Sequence, residues 1–452
     1  DWIDGIWPNE KVEYRDSPND SYWDRQSNLD RIGARALWDV QTNGLTANGD
    51  TIVIAILEPN GFSPDHPDLK DNIWQNNKEI PEDGLDNDHN GYVDDLYGWN
   101  FEYGDDNHKP ESYTHGTPVA SLIGARGNNS IGISGVCWNI KLMLMSYTNE
   151  VADVIEAYEY ILNQRKLYNQ TGGKEGAFVV AANTSFGISR KFPVDFPFWC
   201  AIFDELGEQG ILSVSATANA ARDVAELGDM PTLCDSEYLI TVTNLDVNDE
   251  LYYIASYNPN SVDIAAPGEN NYAAYPNNQY AEFGGTSAAT PLVAGGIGQL
   301  YMMPCLKLFE VYQWSEQALF IKSIILDGVQ KSNGLNNLVR AGGYLNLKQS
   351  GQLLESLCID STSDSLEISV FPNPTSDFIN VYLAGEKSTF SEEKFIGKLI
   401  DQSGKLIWEN QLKEILFSDS LLALDVSKLA SGIYFLQVKS SSKVWTKKIV
   451  IR

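Results

Sequence analysis

The sequence lacks several features that define whole classes of protein. It contains no run of about 18 apolar residues, so no segment is predicted to span a membrane. No two cysteines form a Cys-x-x-Cys pair, which argues against a zinc site or a thioredoxin-type redox site. Positive charge is scarce, with 32 Lys and Arg against 61 Asp and Glu, and the formal net charge is −29. Nucleic acid and anionic membranes are therefore disfavoured as partners, whereas divalent cations are compatible with such a surface. The excess charge also has a simpler explanation, as a solubility device of an extracellular protein.

The first residues, DWIDGIWPNE, lack the basic and apolar regions of a signal peptide. The chain is therefore expected to be either already processed or never exported, and the rest of the sequence favours processing. Its 452 residues, of which 43% are hydrophobic, are too many for one ordinary domain. We expect a large domain over residues 1–359, a linker at 360–369 and a small domain over 370–452.

Short, continuously apolar runs alternate with helical patterns through the large domain. Runs of this kind are typical of strands buried on both faces. They are TIVIAIL (51–57), NIKLMLM (139–145), AFVVAAN (177–183), ILSVSAT (211–217), YLITVTN (238–244) and SVDIAA (261–266). Helices are predicted at VADVIEAYEYILNQ and FWCAIFDELGEQG, and one more near NLDRIGARALWDV. The alternation predicts an α/β fold with a parallel sheet and helices on both of its faces.

Near residue 360 the pattern changes. The segment DSTSDSLE is polar and carries no core pattern, as expected of a linker. After it come alternating apolar and polar runs, which are broken by PNP, SG and SGI turns. This pattern predicts a small antiparallel β-sandwich of roughly 80 residues.

Three stretches contain residue types that serve in nucleophilic catalysis. In HGTPVASLIGA (115–125), His115 opens an apolar helix, and it is one of only four histidines. In GGTSAATPLVAGGIGQL (284–300), Ser287 starts a helix of small residues, where amide dipoles face developing negative charge. In ILSVSATANA (211–220), a buried strand leads to Asn219, whose side-chain amide is a donor for an oxyanion. Taken singly, each residue also has a structural explanation, as a structural histidine, a helix N-cap and a turn asparagine.

Together these stretches resemble the subtilisin-like serine proteases. THGTPVA, ATAN and GTSAATP match the histidine, oxyanion and serine blocks in the family's order, and NTSFG (183–187) and AAPG (265–268) match two further blocks. The resemblance covers roughly residues 25–350. It implies that Ser287 is the nucleophile, that His115 is the base and that Asn219 completes the oxyanion hole. The substrate-binding residues that it implies are Ser185, Phe186, Gly187, Ala216 and Ala218, and at Ala218 the family usually has glycine.

The sequence departs from the family at the acid of the triad. The family's strand ends in an aspartate, but here the strand reads IVIAILEPNGFSPDHPDL and its nearest carboxylate is Glu58. Glutamate serves this role in other triads, and an insertion at 59–60 can set the backbone back to suit its longer side chain. If Glu58 points away instead, His115 loses its orientation and the chain becomes an impaired protease scaffold that binds partners. Asp65 is a less favoured substitute.

A calcium loop is predicted in DNDHNGYVDD (86–95). Alternating oxygen donors around a tight glycine turn wrap Ca²⁺, with a backbone carbonyl at the seventh place. The predicted ligands are Asp86, Asp88, Asn90, Tyr92, Asp94 and Asp95. The alternative is a solvated acidic loop. A second loop, GNNSIGISGV (127–136), resembles a calcium loop of subtilisins, and this resemblance implies Asn129 as a ligand.

Five cysteines leave at least one thiol free, and Cys137 lies in an apolar stretch typical of a core. The other four form two bridges if the compartment is oxidising, and four cysteines allow three pairings. Related sequences suggest the pairs Cys200–Cys234 and Cys305–Cys358.

The last part of the chain resembles the C-terminal sorting domain of the type IX secretion system. The matching pieces are VFPNPTSDFINVYL, LIDQSGKLIW, LDVSKLASGIYFLQV and the terminal KKIVIR. The resemblance implies a secreted or surface-attached protease that acts on proteins or peptides and has the secretion machinery as a partner. A generic adhesion or stalk module is the alternative for this domain. An intracellular enzyme of the same fold is a further alternative, which the tail and the cysteines disfavour.

Overall fold

The computed structural model describes most of the chain. The described residues are 17–109, 115–147, 150–358, 367–371, 375, 378–384, 396–402, 404–411, 422–439 and 444–451. The helices are α1 (Ser27–Arg31), α2 (Arg35–Trp38), α3 (Gly116–Gly124), α4 (Val151–Thr171), α5 (Pro197–Glu208), α6 (Val224–Leu227), α7 (Thr286–Tyr301), α8 (Leu306–Val311), α9 (Trp314–Asp327) and α10 (Leu347–Cys358). Within the described ranges, no helix has both the length and the apolarity needed to cross a membrane.

The strands fall into a large group before residue 345 and a smaller group after residue 366. The first group comprises β1 (Ile52–Pro59), β2 (Gly98–Asn100), β3 (Lys141–Tyr147), β4 (Phe178–Thr184), β5 (Ile188–Ser189), β6 (Leu212–Ala216), β7 (Asp229–Met230), β8 (Leu239–Leu245), β9 (Ile264–Pro267), β10 (Asn271–Tyr275), β11 (Gln279–Phe283), β12 (Gln330–Lys331) and β13 (Gly343–Tyr344). The second group comprises β14 (Glu367–Phe371), β15 (Phe378–Ala384), β16 (Ile396–Asp401), β17 (Leu406–Gln411), β18 (Leu422–Asp425), β19 (Gly432–Lys439) and β20 (Val444–Ile451).

Nine strands of the first group form one sheet, in the order β12-β13-β9-β8-β6-β4-β1-β3-β2. Neighbouring strands run parallel except at the edge pair of β12 and β13. Strand β1 lies between β3 and β4, so the order of the strands reverses there. Such a reversal opens a crevice at the carboxyl ends of the strands, where α/β proteins bind ligands.

The predicted α/β fold is confirmed, and each predicted buried strand is present, as β1, β3, β4, β6, β8 and β9. The two helices predicted after β3 and β4 are α4 and α5. The single helix predicted near NLDRIGARALWDV is wrong, because this stretch forms the two short helices α1 and α2. Gly33 separates them with φ +69, a left-handed conformation that ends the first helix.

The two faces of β1 pack against different helices, and this determines where its last side chains point. Ile52, Ile54 and Ile56 belong to a buried cluster that includes α3 and α7. Residues 53, 55 and 57 belong to a second cluster, which includes α4 and α5. Because side chains alternate along a strand, residue 58 continues the first series and faces the layer of α3.

The second group of strands forms two antiparallel sheets, β14-β15-β18 and β17-β16-β19-β20. Ile379 and Leu424 from the first sheet share a buried core with Leu399, Leu436 and Ile449 from the second. Two sheets that enclose one core are a β-sandwich, as predicted. The predicted linker at 360–369 lies largely outside the described residues, and the domain boundaries remain predictions.

Both predicted disulfides are present. Cys200 in α5 is bonded to Cys234 after β7, and Cys305 before α8 is bonded to Cys358 at the end of α10. Cys137 is buried and free, as expected of a core residue, and its thiol donates to the carbonyl of Gly295 at 2.9 Å.

Candidate active site

The residues predicted to act together come from separate elements, and the crevice at the carboxyl end of β1 brings them together. Glu58 is the penultimate residue of β1, and His115 directly precedes α3. Asn219 follows β6, and Ser287 is the second residue of α7. Parallel strands deliver the ends of their connections to one edge, which explains why residues far apart in sequence meet there.

Glu58 and His115 form a direct contact. The Oε2 atom of Glu58 lies 2.6 Å from Nδ1 of His115. The Glu58 side chain is fully buried, whereas 25% of the His115 side chain is exposed. Burial lowers the pKa of His115, but the negative charge of Glu58 and its hydrogen bond raise it, and the net result is a pKa above the ordinary 6.5. The glutamate therefore reaches the ring nitrogen that a triad acid must engage.

A tight turn after β1 brings the start of α3 close to Glu58. Asn60 and Gly61 both have positive φ, of 64° and 75°, so the chain reverses immediately after the strand. A Cβ atom on Gly116 would lie 2.6 Å from the carbonyl oxygen of Gly61. Only a glycine after His115 permits this approach. Asp65, the alternative acid, is exposed and pairs with Lys109 at 3.3 Å.

The hydroxyl of Ser287 lies at the start of α7 and donates to the backbone carbonyl of Ser185 at 3.0 Å. Within the described residues, no hydrogen bond joins Ser287 to His115. Nucleophile–base contacts often form only when substrate binds, and rotation about χ1 of the serine changes the partner of its hydroxyl.

Sequence reasoning did not identify Phe283, whose ring packs edge-on against His115 with centroids 5.2 Å apart.

The side-chain amide of Asn219 is held in one orientation. Its Oδ1 atom accepts a hydrogen bond from the backbone N–H of Thr286 at 3.2 Å. The Nδ2 group therefore remains available as a donor beside the start of α7. This is the arrangement that an oxyanion hole needs, because a donor must be in place before charge develops.

The predicted substrate-binding residues lie on two neighbouring segments. The segment 185–187 follows β4, and the segment 216–218 ends β6, which pairs with β4. Phe186 packs against the ring of Tyr147, with centroids 5.0 Å apart. The backbone N–H of Ala218 donates to a carboxylate oxygen of Asp229 at 2.9 Å. Sequence reasoning did not identify Asp229, since no spacing rule links it to Ala218.

The acidic loop brings together only part of the predicted ligand set. Carboxylate oxygens of Asp86 and Asp88 lie within 4.8 Å of one another and of an oxygen of Glu79, which sequence reasoning did not identify. Asp94 does not belong to this group, and its two oxygens accept backbone N–H groups of the turn at 83–84. Asp95 is buried, and Tyr160 donates to one of its oxygens. Asn90 and Tyr92 also lie in the loop, where the side-chain oxygen of Asn90 accepts the N–H of Tyr92.

The fit of a divalent cation to this loop rests on Glu79. Its side chain is 6% exposed, and its Oε2 atom is buried without a hydrogen-bond partner. A buried carboxylate oxygen without a donor is costly unless a cation or water satisfies it. Three convergent carboxylates are also the hard oxygen ligands that Ca²⁺ selects.

The second predicted calcium loop is held by protein donors and acceptors. The Nδ2 group of Asn129 donates to Asp68 at 3.0 Å, and its Oδ1 atom accepts the N–H of Ile131 at 2.8 Å. Asp68 also accepts hydrogen bonds from the N–H of Ile133 and from the hydroxyl of Tyr280. Calcium at Asn129 remains a prediction.

This fold and the edge where its site lies define the class of α/β proteins that carry a serine–histidine–carboxylate arrangement at the carboxyl end of a parallel sheet. Comparison with known families is more specific. Residues 49–342 match the model of the Subtilase family. Because this match covers more than half of the chain, the chain belongs to the subtilase family, and the resemblance inferred from its motifs is confirmed.

Curated relatives agree with this assignment. Subtilisin-like protease 1 of Plasmodium falciparum is 30% identical over 322 residues, which are 65% of this chain and 42% of the relative. Subtilisin-like protease 1 of Plasmodium berghei is 27% identical over 73% of this chain and 54% of the relative. The chain thus spans about half the length of these relatives. A protease structure from Pseudoalteromonas arctica is 20% identical with a TM-score of 0.54, and it covers 75% of this chain and 100% of its own, which supports the fold.

The C-terminal part also matches a known family. Residues 369–452 match the model of the secretion system C-terminal sorting domain. The resemblance inferred for this segment is confirmed, and the domain indicates export through the type IX secretion system.

Proposed function

We propose that this chain is a secreted serine endopeptidase that hydrolyses peptide bonds of proteins or peptides through an acyl-enzyme on Ser287. The observation that carries the proposal is the 2.6 Å contact between Glu58 and the Nδ1 atom of His115. Because this contact occupies Nδ1, Nε2 is the ring nitrogen that is left to face the nucleophile. When the ring is neutral and Nδ1–H donates to Glu58, Nε2 is unprotonated and is able to accept a proton from the serine.

The reaction follows from these positions. The Ser287 oxygen attacks the peptide carbonyl while its proton passes to Nε2 of His115, and Glu58 stabilises the resulting imidazolium. The negative oxygen of the tetrahedral intermediate is bound by the amide of Asn219 and the backbone N–H of Ser287. His115 then gives its proton to the leaving amine as the C–N bond breaks. Water, activated by the same histidine, hydrolyses the acyl ester and releases Ser287.

The second candidate is a protease scaffold that has lost catalysis and binds partners. It rests on the glutamate at a position where the family has aspartate. The criterion that separates the two candidates is whether the carboxylate reaches the ring of His115, and the observed distance supports the enzyme.

Calcium is proposed as a structural cofactor. Glu79, Asp86 and Asp88 would hold the ion, and the unpartnered Oε2 atom of Glu79 is the feature that supports it. Bound Ca²⁺ would neutralise the mutual repulsion of these carboxylates and so stabilise the loop against unfolding and self-cleavage. The type IX machinery is the proposed partner of the small C-terminal domain.

Reaction with a fluorophosphonate tests the enzyme directly. The purified, calcium-loaded protein is treated with the probe, and the added mass is read on the intact chain, with Ser287→Ala as the control. We expect one adduct on the unmodified sequence and none on the control. A folded sample that does not react would overturn the enzyme and favour the scaffold.

A further inference from the structure

Asp229 lies among the segments predicted to bind substrate, and the mechanism above does not use it. Its Oδ2 atom accepts hydrogen bonds from the backbone N–H of Ala218 and from the hydroxyl of Thr232, each at 2.9 Å. Its strand, β7, pairs with β5, which directly follows the segment 185–187. A Cβ atom on Gly187 would come within 2.4 Å of the carbonyl of Met230, the residue after Asp229. The carboxylate therefore sits where the two predicted substrate-binding segments converge.

This carboxylate is buried without a compensating charge. Asp229 is only 1% exposed, and burial raises its pKa to about 6, although hydrogen bonds from Ala218 and Thr232 lower it. No lysine or arginine of the described ranges forms an ion pair with it. The equally buried Asp263, by contrast, pairs with Arg340 at 2.9 Å. Hydrogen bonds alone stabilise a buried carboxylate less than pairing with a charge does, so a cationic group that entered between these segments would find an unneutralised partner in Asp229.

The position of Asp229 relative to the oxyanion donor Asn219 indicates which substrate residue would contact it. Ala218, which Asp229 holds, immediately precedes the oxyanion donor Asn219. When the attacked carbonyl lies against Asn219, the side chain of the same substrate residue is attached only one carbon away. That side chain is therefore attached close to Ala218, the residue whose N–H Asp229 accepts.

We propose that Asp229 is a specificity-determining residue that selects lysine or arginine immediately before the cleaved bond. The inference rests on the proposed endopeptidase function and adds its substrate class. An ammonium or guanidinium group supplies the charge that the buried carboxylate lacks, whereas an apolar side chain leaves it unpaired. Sites built around a buried polar group reject ligands that cannot satisfy it much more strongly than apolar pockets reject a misfit. An acidic side chain would be rejected by direct repulsion.

The test uses two quenched-fluorescent peptides that differ only in the residue before the cut, arginine in one and leucine in the other. The specificity ratio of their kcat/KM values is measured for the full chain and for Asp229→Asn. Asparagine keeps an oxygen that accepts from Ala218 and Thr232 but removes the charge. Asp235→Asn removes the same charge from an exposed position six residues away and is the matched control. Fluorophosphonate labelling of Ser287 is measured on every sample, because it reports the catalytic residues without a substrate side chain.

We expect arginine to be favoured by about 100-fold in the unmodified chain and in Asp235→Asn, and the preference to fall to within a few-fold in Asp229→Asn. A labelled protein that cleaves the leucine peptide as well as the arginine peptide would overturn the inference and leave the endopeptidase intact. A preference retained in Asp229→Asn would do the same. Absence of labelling in the unmodified chain would overturn the endopeptidase, and this inference with it. If only Asp229→Asn fails to label, the unmodified chain is used to digest a mixture of peptides, and the residue before each cut is identified. Lysine and arginine are expected there, and any other preference would overturn the inference.

Discussion

At the scale of single residues, Glu58 differs from the expected aspartate by one methylene group. That group lengthens the side chain, and the turn at 60–61 reverses the backbone directly behind the strand. The carboxylate therefore reaches Nδ1 of His115 while its backbone remains in β1. Reach and charge are separate requirements for a triad acid, and two substitutions separate them.

Glu58→Gln is expected to lower kcat by about 10⁴-fold, because a neutral amide neither holds the productive tautomer nor stabilises the imidazolium. Glu58→Asp keeps the charge but withdraws the carboxylate by about one bond, and misplacements of this size cost roughly 100-fold. Steady-state kinetics with one peptide substrate measures both. Equal rates for Glu58→Gln and the unmodified chain would show that the contact has no catalytic part.

The pH dependence of the reaction follows from His115. Its pKa is above 6.5, and catalysis needs the neutral ring, so kcat/KM should rise with pH through a midpoint above 6.5. In Glu58→Gln the negative charge that raises this pKa is gone, and the midpoint should move to lower pH. Profiles of kcat/KM against pH for the two proteins measure the shift, and an unmoved midpoint would contradict the assignment of this pKa to His115.

At the scale of elements, the alternation along β1 links the fold to the site. Ile52, Ile54 and Ile56 face the layer that contains α3, and Glu58 continues their series towards His115. The sequence was sufficient to predict these strands, because continuous apolar runs are typical of parallel sheets. It did not predict the break at Gly33, where the left-handed backbone conformation of this residue interrupts the helix that the pattern predicts.

The parts of the site that could not be predicted are those made by contacts between distant segments. Glu79 meets Asp86 and Asp88, and Asp229 meets Ala218, through loops that no periodicity describes. The family motifs identified only residues within short blocks of sequence. Side chains that support those blocks from elsewhere, such as Phe283 against His115, appear only in three dimensions.

The close approach of the turn after β1 to α3 gives a prediction at this scale. Gly116→Ala places a Cβ atom 2.6 Å from the Gly61 carbonyl, so one backbone must move. Overpacking of this kind costs about 1–3 kcal/mol, and the shift displaces the neighbouring His115. The free energy of unfolding, measured with denaturant, and kcat should both fall. Gly334→Ala, whose Cβ would meet nothing nearer than 3.7 Å, is the control and should leave both unchanged.

At the scale of the whole molecule, the formal charge of −29 destabilises the folded state through repulsion between like charges, unless part of that charge is neutralised. The acidic loop concentrates this repulsion, since three carboxylates converge within 4.8 Å. A bound cation would act on the stability of the entire large domain, because ligands that bind only the folded state stabilise it by mass action.

Removal of calcium should therefore lower the melting temperature. At 100 times its Kd, a cation that binds only the folded state contributes about 2.7 kcal/mol, which corresponds to a drop of several degrees in chelator. Differential scanning calorimetry with and without chelator measures the shift. Glu79→Gln should abolish most of it, whereas Glu82→Gln, an exposed glutamate three residues away, should retain it. An unchanged melting temperature in chelator would contradict a stabilising calcium site in this loop.

The bridge between Cys305 and Cys358 affects how the protein resists degradation after export. Helix α10 ends at Cys358, and the bridge ties that end to the residue before α8. Detachment of the C-terminal domain anywhere in residues 359–366 would leave a new chain end only a few residues beyond a covalent crosslink. Fraying and exopeptidase trimming, which usually begin at free ends, would stop at that bond. The shortened chain would therefore keep a C-terminus that resists fraying and trimming, wherever in these residues the cut falls.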